Sequence, residues 1–399
     1  MTYLASRLSV IKPSPTLAAL DVAKKRKASG EDIIILAAGE PDFDTPAHIK
    51  VAANNAMDKG WTRYTAVDGM PALKKVIQTK FSQDNALEYD LSEIMVSAGG
   101  KQVIFNALMA TCNLGDEVIV PAPYWVSYPD IAKLFGATPI YVECDDTQGF
   151  KLMPDELAKH LTPQTKWVIL GSPGNPTGAV YTRNELVALG EVLKKHSCLI
   201  LSDDIYEYLT YEGDFCNIAM ACPELKNRTL VVNGLSKSYA MTGWRIGYGA
   251  GPKDLIQAMT MIQSQSTSNA CSVAQGAAIE ALTQPREFLE GWKASFMARR
   301  EHCLMALNNI HGLECVRPSG AFYLYVKCAG VIGKKTPSGS VIATDQDFTT
   351  YLLDAQGVAV VPGGAFGLSP YFRISYATSL EELVKACERI SKAVGALVP

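Results

Sequence analysis

Short β-rich apolar runs, separated by stretches of helical periodicity, constrain this chain more than any other feature. The runs are VIV at 118–120, WVIL at 167–170, LIL at 199–201 and LVV at 230–232. Strands that alternate with helices do not pair through tight hairpins; they lie parallel, and the helices cover the faces of the sheet. The spacing therefore predicts an α/β fold with a mostly parallel, doubly wound sheet. Between the second and third runs, Thr182 and Glu185 form a capping box that opens the helical stretch NELVALGEVLKKH, whose last turn carries Lys194, Lys195 and His196. That is one right-handed βαβ unit.

The pattern changes beyond about residue 290. A long charged helix, WKASFMARREHCLMALNNI, leads into FYLYV at 322–326 and VAVVPGG at 358–364, which predicts a second, smaller α+β domain. Residues 46–290 are expected to form the large domain, with 1–45 and 291–399 as N-terminal arm and small domain. The Gly-, Ser- and Lys-rich segment GVIGKKTPSGSVIATDQ reads as a mobile surface insertion. A chain of 399 residues that is 48% hydrophobic has ample material for two cores.

With 37 basic and 40 acidic residues the net charge is -3, which lacks the basic excess that nucleic-acid binding demands. No apolar stretch reaches the ~18 residues of a membrane span. The ten cysteines include no Cys-x-x-Cys pair and the five histidines lie at no zinc-ligand spacing. The expectation is a cytoplasmic protein with reduced thiols, no structural metal, and neither nucleic acid nor membrane as a partner.

Ligands of open α/β sheets sit outside the carboxyl ends of the strands. After WVIL comes GSPGNPTG (171–178), after LIL comes SDDIYEYL (202–209), and after LVV comes NGLSKSYAMTGWRIGYG (233–249). Each has an ordinary reading: a turn, a helix cap at Asp203 or Asp204, a packed Tyr206, a solvated Lys237, a surface Arg245. At matching strand ends, an amide, a carboxylate with a phenol, and a lysine with an arginine converge on one rim. Two nucleotide motifs fail there. GYGAG at 247–251 lacks the third glycine of a dinucleotide fingerprint, and MVSAGGKQ (95–102) has Met95 and Gln102 where a phosphate-binding P-loop needs Gly and Ser or Thr. Yet Gly99-Gly100-Lys101 precedes the helical run QVIFNALMATC, and bare backbone at a helix start suits a phosphate. The ligand should carry phosphate without being ATP or NAD.

Taken with KPSPT (12–16), AAGEPDFDTP (37–46), PYWVSYP (123–129), RPSGAFY (317–323) and FRISYATS (372–379), these segments make the chain resemble, almost end to end, the fold-type I pyridoxal-phosphate (PLP) aminotransferases, in particular the bacterial aspartate aminotransferase branch that includes aspartate/prephenate aminotransferases. The resemblance implies pyridoxal 5'-phosphate as cofactor, held as a Schiff base by Lys237. The freed amine of Lys237 would then move a proton between substrate Cα and cofactor C4′. Asp203 matches the carboxylate that keeps the pyridine nitrogen protonated. Asn175 and Tyr206 match the pair bonded to the ring's phenolic oxygen, and Trp125 the aromatic stacked on the ring. Arg245, Ser236 and the backbone at Gly100 and Lys101 are implied as phosphate contacts. Tyr64 matches a tyrosine that reaches the phosphate from a neighbouring subunit, so a homodimer with shared active sites is implied. Arg373 matches the arginine that grips the substrate α-carboxylate, helped by Gly39 and Asn175.

For the distal carboxylate the branch implies Lys101 and Thr16, and Lys12 corresponds to its prephenate determinant. The implied reaction takes the amino group of L-aspartate to 2-oxoglutarate, with prephenate as a second acceptor. The alternatives are an aromatic or alanine aminotransferase, a PLP-dependent lyase acting at the β- or γ-carbon, and a non-catalytic PLP-sensing regulator. Two departures from the pattern stand out. Gly174 occupies a turn position where many relatives have Asn, and Gly234 replaces a common phosphate-binding hydroxyl, which places more of that task on Ser236 and Arg245.

Overall fold

A computed structural model describes residues 3–399 of the chain. It contains thirteen strands: β1 (Ile34–Ile35), β2 (Ile94–Ser97), β3 (Glu117–Ala122), β4 (Thr138–Glu143), β5 (Thr165–Gly171), β6 (Leu199–Asp203), β7 (Thr229–Gly234), β8 (Gly247–Ala250), β9 (Glu314–Cys315), β10 (Tyr323–Lys327), β11 (Val358–Ala359), β12 (Val361–Pro362) and β13 (Tyr371–Ser375). Seven of them form one sheet in the order β2-β8-β7-β6-β5-β3-β4. The four runs picked out from sequence lie at its centre, as β3, β5, β6 and β7. Buried on both faces, they cannot alternate polar and apolar residues, which is why they read as continuous apolar runs.

Pairings from β7 through β4 are all parallel, whereas β8 runs antiparallel to both β7 and β2. The reversal has a local cause. A parallel return needs a crossover, usually a helix, and the connection 235–246 contains only the short 3-10 turn Thr242–Trp244. The helix Arg183–Leu193 between β5 and β6 starts at the expected capping box: Thr182 accepts from the Glu185 backbone and Glu185 from that of Thr182.

The smaller sheet, β12-β13-β10-β9, is antiparallel and packs against the helices Phe288–Asn308, Asp345–Gln356 and Leu380–Gly395. The run VAVVPGG does not stay in one sheet. Its first half, β11, pairs in parallel with β1, and its second half, β12, joins β13. The segment 330–346 is more fixed than its composition suggests. Lys335 exchanges backbone hydrogen bonds with Val398 (2.8 and 2.9 Å), Ile342 is buried, and Thr344 caps the next helix. No described helix is long and apolar enough to cross a membrane.

Between the two sheets runs an extended segment from Ile34 to Gly39. Leu36 donates to the Ala359 carbonyl (2.9 Å) and accepts from the Ser375 amide (2.8 Å), which ties the segment to the smaller sheet. Its far end enters the rim of the large one.

Candidate active site

At the carboxyl ends of the parallel strands lies a cavity of about 770 Å³. Every residue to which the resemblance assigns a role in the site lines it except Lys12 and Tyr64. Tyr64 is 91% exposed, and Lys12 lines a neighbouring cavity of about 200 Å³ together with Lys101 and Asp130.

Lys237 follows the central strand β7, and its Nζ donates to the Gly39 carbonyl at 2.5 Å. Burial pulls this amine down to about 8; nearby Glu40 opposes the shift, while Arg373 and Arg245 add to it. A lysine in that state holds a proton weakly enough to give it up near neutrality. The adjacent acidic pair, open to two readings from sequence, divides cleanly. Asp203 faces the cavity, while Asp204 turns away and accepts from Ser202 (2.7 Å) and Asn217 (2.6 Å). Asp203 Oδ2 accepts from the Tyr128 hydroxyl at 2.6 Å, and burial raises its pKa against that hydrogen bond. A carboxylate so enclosed, with a neutral phenol as side-chain partner, suits a cationic N–H.

A second pole is built for an anion. The helix Gly100–Thr111 begins behind Gly99, whose φ of 89° is glycine territory, and a Cβ on Gly99 would lie 2.3 Å from Arg245 Nη2. Arg245 is held by the carbonyls of Thr242 (2.8 Å) and Ala98 (3.3 Å), and no carboxylate pairs with it among the described residues. Lys101 lies 4.9 Å over the Trp125 ring, and its pKa is lowered by burial and then by Arg245. Cations, bare helix backbone and the buried Ser236 thus meet without an acid. The missing hydroxyl at Gly234 has a steric reason: a Cβ there would come 3.0 Å from the Ile246 carbonyl oxygen and 3.1 Å from Gly247 Cα.

A third pole is Arg373 on β13. The residue is 3% exposed, and its guanidinium donates to Asn175 Oδ1 (2.9 Å) and the Ala37 carbonyl (2.8 Å). It lies 4.5 Å from the Tyr323 ring centroid, its Nε has no partner, and no described carboxylate pairs with it. A buried guanidinium is costly to leave without a counter-charge, so this one is set for an anionic ligand. Thr16, also on the cavity wall, shares a 2.9 Å hydrogen bond with Ser14.

The match to known proteins is extensive. The family model for aminotransferase class I and II covers residues 31–390. This chain belongs to that family. Among curated relatives, it is 53% identical to a "probable aspartate/prephenate aminotransferase" of Rickettsia bellii over the full length of both chains. It is 54% identical to the "aspartate/prephenate aminotransferase" of Cereibacter sphaeroides, over 98% of both. The solved aspartate aminotransferase of Rhizobium meliloti superimposes with a TM-score of 0.97 at 51% identity, covering all of both chains. That of Thermus thermophilus with maleate gives 0.92 at 41%, covering 98% of this chain and all of the other.

Membership makes PLP the cofactor of this aminotransferase, and its donor set fits that molecule: an acid-free cationic cradle for a phosphate, a buried carboxylate for a ring nitrogen, and an indole beside them. Among the cavity side chains that were not singled out from sequence are Tyr128, Tyr323 and Glu40. All lie inside motifs quoted above, but phenols and a carboxylate within such strings carry no signal of what they face.

Proposed function

We propose that this chain transfers the amino group of L-aspartate to 2-oxoglutarate, giving oxaloacetate and L-glutamate, with prephenate as a second acceptor, and that it works as a cytoplasmic homodimer. The observation that carries the reading is the buried, acid-free guanidinium of Arg373 in the same cavity as a second cation, Lys101. Two separate cations match the two carboxylates of aspartate. The names of the full-length relatives support the same substrate class.

In this reading the substrate α-carboxylate binds Arg373, with Asn175 and Gly39 beside it, and its distal carboxylate meets Lys101 and Thr16. Bound PLP supplies an electron sink that makes the substrate Cα–H bond breakable. The freed amine of Lys237 would take the proton from substrate Cα and hand it to cofactor C4′. Asp203 keeps the ring nitrogen protonated, Asn175 and Tyr206 hold the ring oxygen, and Trp125 covers the ring face. The backbone at Gly100 and Lys101, with Ser236 and Arg245, holds the phosphate, and Tyr64, exposed on one subunit, completes the site of the other. Residues 46–290 carry the cofactor, and residues 1–45 with 291–399 close over the substrate.

The test is to mix PLP-loaded protein with single amino acids and follow the cofactor absorbance. Aspartate and glutamate should convert it to the pyridoxamine form. Conversion by alanine but not aspartate overturns the substrate assignment, and release of pyruvate or ammonia instead of amino-group exchange points to a lyase.

A further inference from the structure

Arg373 and Tyr206 occupy different parts of the cavity wall, and one side chain joins them. Tyr323 opens β10 and pairs across the sheet with Ser375, two residues from Arg373. It is completely buried. Its ring packs against the Arg373 guanidinium at 4.5 Å, and its hydroxyl lies 2.7 Å from the Tyr206 hydroxyl. The same hydroxyl abuts Gly39, where a Cβ would come within 3.0 Å of it, and the Gly39 carbonyl is the acceptor of the Lys237 amine.

We propose that Tyr323 is a positioning residue whose hydroxyl donates to Tyr206 and thereby fixes the one Tyr206 proton on the cofactor's ring oxygen. The inference rests on the PLP reading of the site, in which Tyr206 faces that oxygen. A phenol has one proton to donate and two lone pairs to accept with. If Tyr206 gives its proton to the cofactor, the 2.7 Å contact is a hydrogen bond only when Tyr323 is its donor. Arg373 favours this direction, because a cation 4.5 Å from the Tyr323 ring centroid makes that hydroxyl the readier donor; burial raises both phenols, and Arg373 opposes that rise. Each bond in such a chain polarises the next, so donation from Tyr323 strengthens donation by Tyr206.

The readout is the pH titration of the bound cofactor's absorbance in the holoenzyme. Donation by Tyr206 stabilises the ring oxygen as an anion. When donation weakens, that oxygen becomes more basic and the chromophore keeps its proton to higher pH. Tyr323→Phe removes only the hydroxyl and keeps the ring under Arg373. Its midpoint should rise by about half a unit, the size of a fraction of one buried hydrogen bond. Tyr206→Phe should raise it further, and the double variant should match Tyr206→Phe alone, because Tyr323 acts only through Tyr206. Turnover should fall severalfold in Tyr323→Phe with KM for aspartate unchanged. Coincident titrations of Tyr323→Phe and wild type, alongside a shifted Tyr206→Phe, overturn the role of Tyr323 and leave the site reading intact. An additive double variant also overturns it. A protein that takes up no PLP, or an unshifted Tyr206→Phe, overturns both.

Discussion

Replacing Arg373 with lysine keeps the charge and removes the fork, so it isolates the value of geometry at the carboxylate pole. A guanidinium has five N–H donors; one on each Nη is committed, to Asn175 Oδ1 and the Ala37 carbonyl, and Nε is buried, which leaves the second N–H of each Nη for a ligand. A lysine has three donors in all. If it keeps the same two acceptors satisfied, which burial demands, one remains for the substrate. A two-point grip therefore becomes a one-point contact. The loss is about one charge-assisted hydrogen bond, roughly 1.5–3 kcal/mol, or about ten- to a hundred-and-fifty-fold in kcat/KM. Stopped-flow measurement of the first half-reaction, with aspartate alone and the absorbance of the bound cofactor as signal, gives kcat/KM directly. Inhibition by a dicarboxylate such as succinate should weaken by a similar factor. A loss under about threefold in both would falsify the assignment of Arg373 as a bidentate carboxylate clamp.

Other expectations concern the remaining poles. Gly99→Ala sets a side chain at φ 89° and 2.3 Å from Arg245 Nη2; backbone strain of about 1–3 kcal/mol and a displaced arginine should lower both the melting temperature and PLP affinity. A normal dissociation constant for PLP in that variant contradicts the phosphate cradle. In the cofactor-free protein, Lys237 is held near 8 against an ordinary 10.5. The folded state therefore binds fewer protons than the unfolded state between those values, so its stability is depressed below pH 8 and recovers as pH rises toward 10.5. Lys237→Met should be the more stable protein at pH 7, by on the order of 3 kcal/mol, and the gap should close by about pH 10.5. Urea titrations at several pH values check this; a pH-independent gap refutes it. Lys12→Ala should reduce activity with prephenate and spare 2-oxoglutarate, since Lys12 lines the side cavity and not the main one. Equal activity with prephenate before and after the change removes Lys12 from specificity.

The sequence was most legible where burial is uniform. The inner strands β3, β5, β6 and β7 stand out because both of their faces are covered. The edge strand β4 does not, since Thr138, Tyr141 and Glu143 are exposed and interrupt its apolar pattern. Strand β8, GYGA, has two glycines in four residues and little strand propensity of its own. It is held by close packing: a Cβ on Gly247 would lie 2.2 Å from the Gly100 amide nitrogen, so only glycine admits the start of the helix Gly100–Thr111 there. Short runs such as VAVVPGG were legible as β structure but not as a switch between sheets, because partner choice depends on residues far away in the chain. The polar groups that line the cavity could be read from strand ends and from the family pattern. The phenols behind them could not. Tyr128 and Tyr323 act through contacts 75 and 117 residues away, to Asp203 and Tyr206, and nothing local marks a buried tyrosine as wired to another side chain.

The stretch from Ile34 to Gly39 joins Arg373, on the smaller sheet, to Lys237, in the connection that follows β7 of the large one. Arg373 grips it at the Ala37 carbonyl and Lys237 at the Gly39 carbonyl, while Leu36 just upstream is pinned on both its amide and its carbonyl. Both side chains therefore lean on one short stretch of main chain, so a substitution that shifts this segment disturbs the carboxylate pole and the lysine in the same step.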